Sequence, residues 1–316
     1  MGSITKNYLK ENVIKHIVES ALGKGRMAGY MEVDGGFCNA VYRIELTDGS
    51  RAILKVAPAS NIRLMSCEVA MMRTEAGAMQ LAAKHDIPHV PKVYVYDDSR
   101  KLCDAEYLLM ECMEGIPATQ AKEKMDDKEK EKAEEQIGKM LHKVNEITGE
   151  KFGHFCMKEL QYDNWFEAFY HMLSQVIRDG IDASIDVGVP YGTILSKLQS
   201  DRSYFEEVKC PKLIHFDSWD GNFIMRNGQI SGMIDWERAL WAEALMEDKF
   251  RFHSVSNAFL NGYGIKELTP SQKIRSNWYD IYLYLIMMFE VTYRHYETMD
   301  QYYWVHGLFE QVIEKV

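Results

Sequence analysis

Between Leu213 and Trp236 the chain reads LIHFDSWDGNFIMRNGQISGMIDW, two short apolar runs joined by the dipeptide Asn227-Gly228. An Asn-Gly pair between alternating apolar residues is a strong short-range signal for a tight hairpin, because both positions accept the positive φ such a turn requires. A hairpin brings the residue before its first strand beside the residue after its second. Asn222 and Asp235 are therefore expected to approach each other, with Asp217 ahead of Asn222 in the relation D-x-x-x-x-N.

That spacing lets one loop present a carboxylate and an amide oxygen toward a common point. Phosphoryl transfer calls for such a set: a carboxylate to orient the attacking hydroxyl and accept its proton, an amide oxygen for Mg2+, and a second carboxylate for the metal that bridges nucleotide phosphates. Asp217 is the candidate base, and Asn222 and Asp235 the candidate metal ligands. Upstream, Lys55 lies on the apolar strand AILKVA, where a cation needs a partner such as a phosphate or a helix glutamate. His215 reads as a core histidine that braces the loop, and Asp220 as a turn residue bonding its own backbone.

A chain of 316 residues with 47% hydrophobic content can bury a large core and fits one large or two modest domains. The six cysteines, at 38, 67, 103, 112, 156 and 210, form no CxxC pair or metal-ligand spacing, which favours reduced thiols and a cytoplasmic protein. No apolar run is long enough to span a bilayer. Net charge is −10, with 22 basic against 24 acidic residues in 1–156 and 15 against 23 in 157–316. This balance argues against a nucleic-acid partner, which would need a basic face, and is compatible with a cationic small ligand.

An amphipathic helix is expected near residues 7–22, then three strands through YMEVDGGFCNAVYRIELTDGSRAILKVA, a helix over Leu64–Lys84, and two more strands in KVYVYD and EYLLMEC. From Ala118 the texture turns helical: the KEKEKAEE run continues into Ile137, Met140, Leu141 and Val144 at helical spacing. Further helices are expected over DNWFEAFYHMLSQVI and around Ala242–Leu260, Ser271–Glu297 and Gln301–Lys315. The fold class is α+β in two lobes, a five-stranded β-rich lobe over 1–111 and a larger, mainly helical lobe over 112–316.

In order and spacing, DGGFCNAVYRI, AILKVA, EAGAMQLAAKHDIPHVPKV, LLMECMEGIPA, MLHKV with FGH, HFDSWDGNFI and GMIDWE resemble the aminoglycoside phosphotransferases and their choline kinase-like and fructosamine kinase-like relatives. The resemblance implies a protein-kinase-like fold in which Asp217 is the base, Asn222 and Asp235 hold Mg2+, and Lys55 meets the phosphates of ATP or GTP. Glu68 and Glu75 lie seven residues apart on nearly one helix face. The family pattern favours Glu75 as the partner of Lys55. It also points to Gly36 and Asn39 near the phosphates, though no full GxGxxG is present, to backbone groups of Glu111 and Met113 at the nucleotide base, and to Met110 as gatekeeper.

Past its IDWE-like strand the family often continues with Gly-Asp-Pro and an Asp, where this chain has WAEALMEDKF. The expected function is Mg2+-dependent transfer of a nucleotide γ-phosphate to a hydroxyl of a small polar molecule, an aminoglycoside first. The alternatives are a metabolic kinase for choline, ethanolamine, a sugar or an amino alcohol, and a nucleotide-binding pseudokinase. The aminoglycoside expectation rests on an acidic wall: Asp163, Glu167, Asp179 and Asp182, with Glu237, Glu243, Glu247 and Asp248 after the metal strand. Of these, Glu237 and Glu243 are the candidate substrate contacts.

Overall fold

The computed structural model describes residues 6–33 and 38–316. The small lobe begins with α1 (Glu11–Leu22), and its strands are β1 (Met27–Glu32), β2 (Ala40–Leu46), β3 (Arg51–Val56), β4 (Val93–Asp97) and β5 (Tyr107–Glu111), with α2 (Met71–Lys84) between β3 and β4. They form one antiparallel sheet of five strands in the order β1-β2-β3-β5-β4. Strict alternation along β2 turns Ala40, Tyr42, Ile44 and Leu46 inward. Ile14, Ile17 and Val18 of α1 pack with Leu54 and Leu109, whereas Met72 and Met79 of α2 pack with Leu108 and Met110. The sheet is thus covered on both faces, and Lys55 stands in its middle strand, in register with Val41 and Leu108.

The second lobe runs through β6 (Ile116–Pro117), α3 (Ala118–Lys122), α4 (Asp127–Val144), β7 (Phe152–His154), β8 (Gln161–Tyr162), α5 (Trp165–Asp182), α6 (Tyr191–Ser200) and α7 (Arg202–Phe205). It continues with β9 (Lys212–Ile214), β10 (Phe223–Arg226), β11 (Gln229–Met233), β12 (Leu240–Ala242), α8 (Asn257–Tyr263), α9 (Pro270–Tyr293) and α10 (Asp300–Ile313). α9 is the central helix, burying Trp278, Tyr279, Tyr282 and Phe289 against α5. Two small sheets, β11-β10-β6 and β8-β7-β12-β9, frame the loop after β9. Gly115 lets the chain between the lobes lie against β10, since a Cβ there would overlap the Met225 carbonyl. Among the described residues no helix is long and apolar enough to cross a membrane.

Several expected elements differ in detail. The first helix starts at Glu11. The helix expected from Leu64 is instead a 3-10 turn at Ser66–Glu68 followed by α2, with Ala70 in the left-handed region (φ 58°) between them. The stretch expected to be helical over Ala242–Leu260 runs as 3-10 turns at Ala244–Met246 and Asp248–Phe250 before the short α8. Both departures occur where side chains of the segment bond other elements, which local periodicity does not report.

Candidate active site

The hairpin forms as its turn residues require: Asn227 and Gly228 both take positive φ (51° and 73°), and Phe223 pairs with Met233. Beyond the last pair, Ile234 N donates to Asn222 O at 2.9 Å, which fixes Asn222 beside the residue preceding Asp235. Asp235 then adopts the left-handed conformation (φ 63°), where the chain leaves the strand. Asn222 Nδ2 donates to the Asp217 carboxylate at 2.9 Å and to its carbonyl at 2.8 Å. With the amide nitrogen so engaged, the Asn222 Oδ1 atom is the acceptor available to a cation.

Lys55 Nζ donates to Glu75 Oε1 at 2.6 Å and also to Asp235. Of the two candidate glutamates the structure brings Glu75 to Lys55; Glu68 accepts instead from Met65 N at 2.9 Å and from Arg294 Nε at 3.2 Å. Burial by itself would push the Lys55 ammonium down, but the Asp235 and Glu75 carboxylates outweigh it and hold the group above the usual lysine range. Likewise, burial would raise Asp235, and Lys55 more than offsets it. Burial pushes the Asp217 carboxyl up to about 6, against the pull of the Arg238 guanidinium.

A cleft of about 520 Å3 lies between the lobes, lined by Lys55, Asn222 and Asp235 together with Asn39, Met110, Glu111, Met113 and Glu237. Asn39 Nδ2 donates to Glu237 Oε2 at 2.9 Å, so Glu237 sits under the small lobe beside Lys55. At the cleft's back edge, Lys92 and Glu111 are joined by Glu111 N to Lys92 O at 2.8 Å and by Lys92 N to Glu111 Oε2 at 3.1 Å. Gly36 lies outside the described residues.

The acidic wall is corrected by the structure. Glu243 does not reach the cleft: it is buried, takes Arg275 through two parallel bonds (2.8 and 2.7 Å) and accepts from the Tyr279 hydroxyl. Glu247 is fully buried and braces the loop carrying Asp217 from behind, accepting from His215 N (2.8 Å), Phe216 N (2.9 Å), Ser218 Oγ (2.9 Å) and Asn145 Nδ2 (3.1 Å). Asp179 accepts from Ser66 N and Oγ, and Asp182, Asp163 and Glu167 pair with Arg63, Lys151 and Arg202. Asp248 is buried near His253. A buried carboxylate such as Glu243 or Glu247 is retained with partners, and sequence position alone did not show that these two already had them.

His215 is fully buried and its Nε2 atom lies 2.9 Å from Ile234 O, its ring tilted on Trp236, so it ties the loop to the segment after β11. Burial lowers its pKa, and the neutral ring then donates Nε2–H to that carbonyl. Glu247 was read from the sequence only as part of the acidic wall, and two residues went unassigned: Arg238 beside Asp217, and Trp219, which is 47% exposed and lines the cleft. Only Trp219 carried a sequence signal, an indole two residues from the candidate base.

A lysine–glutamate pair under a five-stranded sheet, facing a loop with Asp217, Asn222 and Asp235, defines a two-lobed, protein-kinase-like phosphotransferase. The chain belongs to the phosphotransferase enzyme family, which it matches over residues 29–247. Similar solved structures include a protein described as a fructosamine-3-kinase of Thermobifida fusca, at TM-score 0.69 and 18% identity, covering 96% of this chain and 100% of that one. A thermostable mutant of the aminoglycoside phosphotransferase APH(4)-Ia, solved with ADP and hygromycin B, gives 0.65 and 13% over 95% and 98%. APH(2")-IIa, solved with streptomycin and ATP, gives 0.62 and 14% over 96% and 97%. No curated protein matches the sequence.

Proposed function

We propose that this protein transfers the terminal phosphate of ATP or GTP to a hydroxyl of a small polar molecule, with Mg2+ bound at Asn222 and Asp235. The observation that carries the reading is that Lys55, Asn222 and Asp235 line one cleft, with Lys55 bonded to both Glu75 and Asp235 and Asn222 bonded to the Asp217 carboxylate. The donor set fits Mg2+: an amide oxygen and a carboxylate are hard oxygen ligands, and two of them plus phosphates and water is the arrangement this ion favours. When bound, the ion would neutralise charge on the phosphate oxygens. Lys55, held charged and oriented by Glu75, binds the phosphates. Asp217, kept in place by Asn222 Nδ2 and the Glu247 brace, orients the acceptor hydroxyl and takes its proton. Backbone groups of Glu111 and Met113 bind the nucleotide base, and Asn39 and Glu237 shape the phosphate end. In this reading residues 1–111 form the nucleotide lobe, residues 112–316 form the catalytic and substrate lobe, and the protein works in the nucleotide-rich, reducing cytoplasm.

An aminoglycoside acceptor is the first reading of the substrate, as a hydroxylated cation near Asp217 and Glu237. With Glu243, Glu247 and Asp248 buried and Asp163, Glu167 and Asp182 in surface ion pairs, a sugar derivative on a neutral or singly charged amine, such as a fructosamine, is a second reading. The exposed Trp219 indole favours it as a flat face for a sugar ring. A coupled assay for ADP release, run with and without Mg2+ over aminoglycosides, fructosamines, choline and neutral polyols, decides among them. We expect Mg2+-dependent release stimulated by one acceptor class. Tight nucleotide binding with no release on any acceptor would leave a nucleotide-binding pseudokinase in its place.

A further inference from the structure

Asp220 lies between Trp219 and Gly221 in the 3-10 turn that ends at Asn222, yet while those neighbours line the cleft, its carboxylate is held by two lysines. Oδ2 accepts from Lys122 Nζ at 2.6 Å and Oδ1 from Lys249 Nζ at 2.5 Å. Glu134 closes the figure, accepting from Lys122 Nζ and from Lys249 Nζ at 3.0 and 3.2 Å. Two carboxylates and two ammoniums thus form a closed, charge-balanced square, largely shielded from solvent.

Each corner belongs to a different part of the lobe. Lys122 ends α3, whose Thr119 and Gln120 line the cleft; Glu134 is on α4; and Lys249 follows by two residues the Glu247 that braces the loop. The turn that Asp220 anchors is continuous with the metal pair, since Asn222 N donates to Trp219 O at 3.0 Å and Asn222 O accepts from Ile234 N. A shift of Asp220 is therefore carried through the turn to Asn222. We propose that the Lys122–Asp220–Lys249–Glu134 square is a positioning device that sets the Asn222 amide oxygen for the divalent cation. It rests on the reading of Asn222 and Asp235 as the metal pair. Groups that orient a metal ligand commonly matter 10- to 100-fold in metal affinity.

A field effect makes the opposite prediction for the lysines, which gives the test its sign. Loss of the Asp220 charge would weaken a nearby cation site through space, whereas loss of Lys249 would strengthen it. If the square positions Asn222, both losses weaken it. Binding of ATP is measured by calorimetry with and without Mg2+. The parent must bind ATP more tightly with Mg2+; if it does not, the phosphotransferase reading falls rather than this one. Asp220→Asn and Lys249→Met should each cut that tightening by about 10-fold or more, with metal-free ATP binding unchanged. Because Lys249→Met leaves two carboxylates facing one ammonium and can unfold the lobe, Lys249→Met/Glu134→Gln keeps charge balance around the remaining Lys122–Asp220 pair. We expect its melting temperature near the parent's while the Mg2+ effect stays reduced. Full Mg2+ tightening in Asp220→Asn or in the double variant, or opposite signs for the aspartate and lysine variants, would overturn the proposal.

Discussion

Asp217 illustrates how one residue's surroundings define its task. Burial raises its carboxyl toward neutrality, Arg238 opposes the rise, and Asn222 Nδ2 fixes its orientation. A carboxylate so held is suited to accept a proton in the transition state, a contribution typically of about 10^2 to 10^4 in rate. Asp217→Asn is therefore expected to lower turnover by about that factor while nucleotide affinity is largely kept; near-parental turnover would remove Asp217 from the reaction. In the proposed reading Asp235 acts at an earlier stage. Its carboxylate is shared with Lys55, and Asp235→Ala should abolish the Mg2+-dependent part of nucleotide binding. Equal Mg2+ effects in variant and parent titrations would contradict that assignment.

At the scale of elements, the crossing of α4 and α8 behind the catalytic loop depends on two glycines. A Cβ at Gly138 would overlap the Phe259 carbonyl and come within 2.6 Å of Tyr263 N, and one at Gly262 would meet the backbone of Glu135. Tyr263 in turn donates its hydroxyl to Asn145 Oδ1 at 2.8 Å, and Asn145 bonds Glu247, so the crossing supports the brace under His215. Helix propensity alone would make Gly138→Ala stabilising by up to about 1 kcal/mol. Overlap with rigid backbone costs about 1 to 3 kcal/mol, which decides the sign. Urea unfolding should show Gly138→Ala less stable than the parent; equal or greater stability would mean that α8 yields freely.

Over the whole molecule, part of the charge is built into a buried network of ion pairs between elements. Arg238 bonds Glu290, which also faces Arg294 at 3.3 Å, and Arg294 bonds Glu68, so α9 is tied to the segment leading into α2. Burial would raise the Glu290 carboxyl, but the two guanidiniums, Arg238 above all, hold it below the ordinary glutamate value. A group depressed in the folded state contributes stability above its unfolded pKa, and that contribution is lost as pH falls through the folded one. Stability should therefore decline as pH drops below about 4.5, the ordinary glutamate value. In thermal melts across this range, Glu290→Gln should be less stable than the parent at pH 7 and converge toward it in acid; a constant gap would show that Glu290 takes no part in the acid response.

The five-stranded lobe and the hairpin were legible in the chain because they rest on local signals. Period-two burial specifies β2, Asn227-Gly228 specifies a turn, and that turn alone places Asn222 near Asp235. The destinations of the acids were not legible. Glu237, Glu243 and Glu247 lie within one short stretch, yet one faces the cleft, one clasps Arg275 and one carries the catalytic loop. Which partner a carboxylate meets depends on residues 30 to 200 positions away, such as Arg275 or Asn39, and sequence periodicity holds no record of them. Tertiary structure decided those pairings, because a carboxylate removed from water must find its donors wherever the fold brings them.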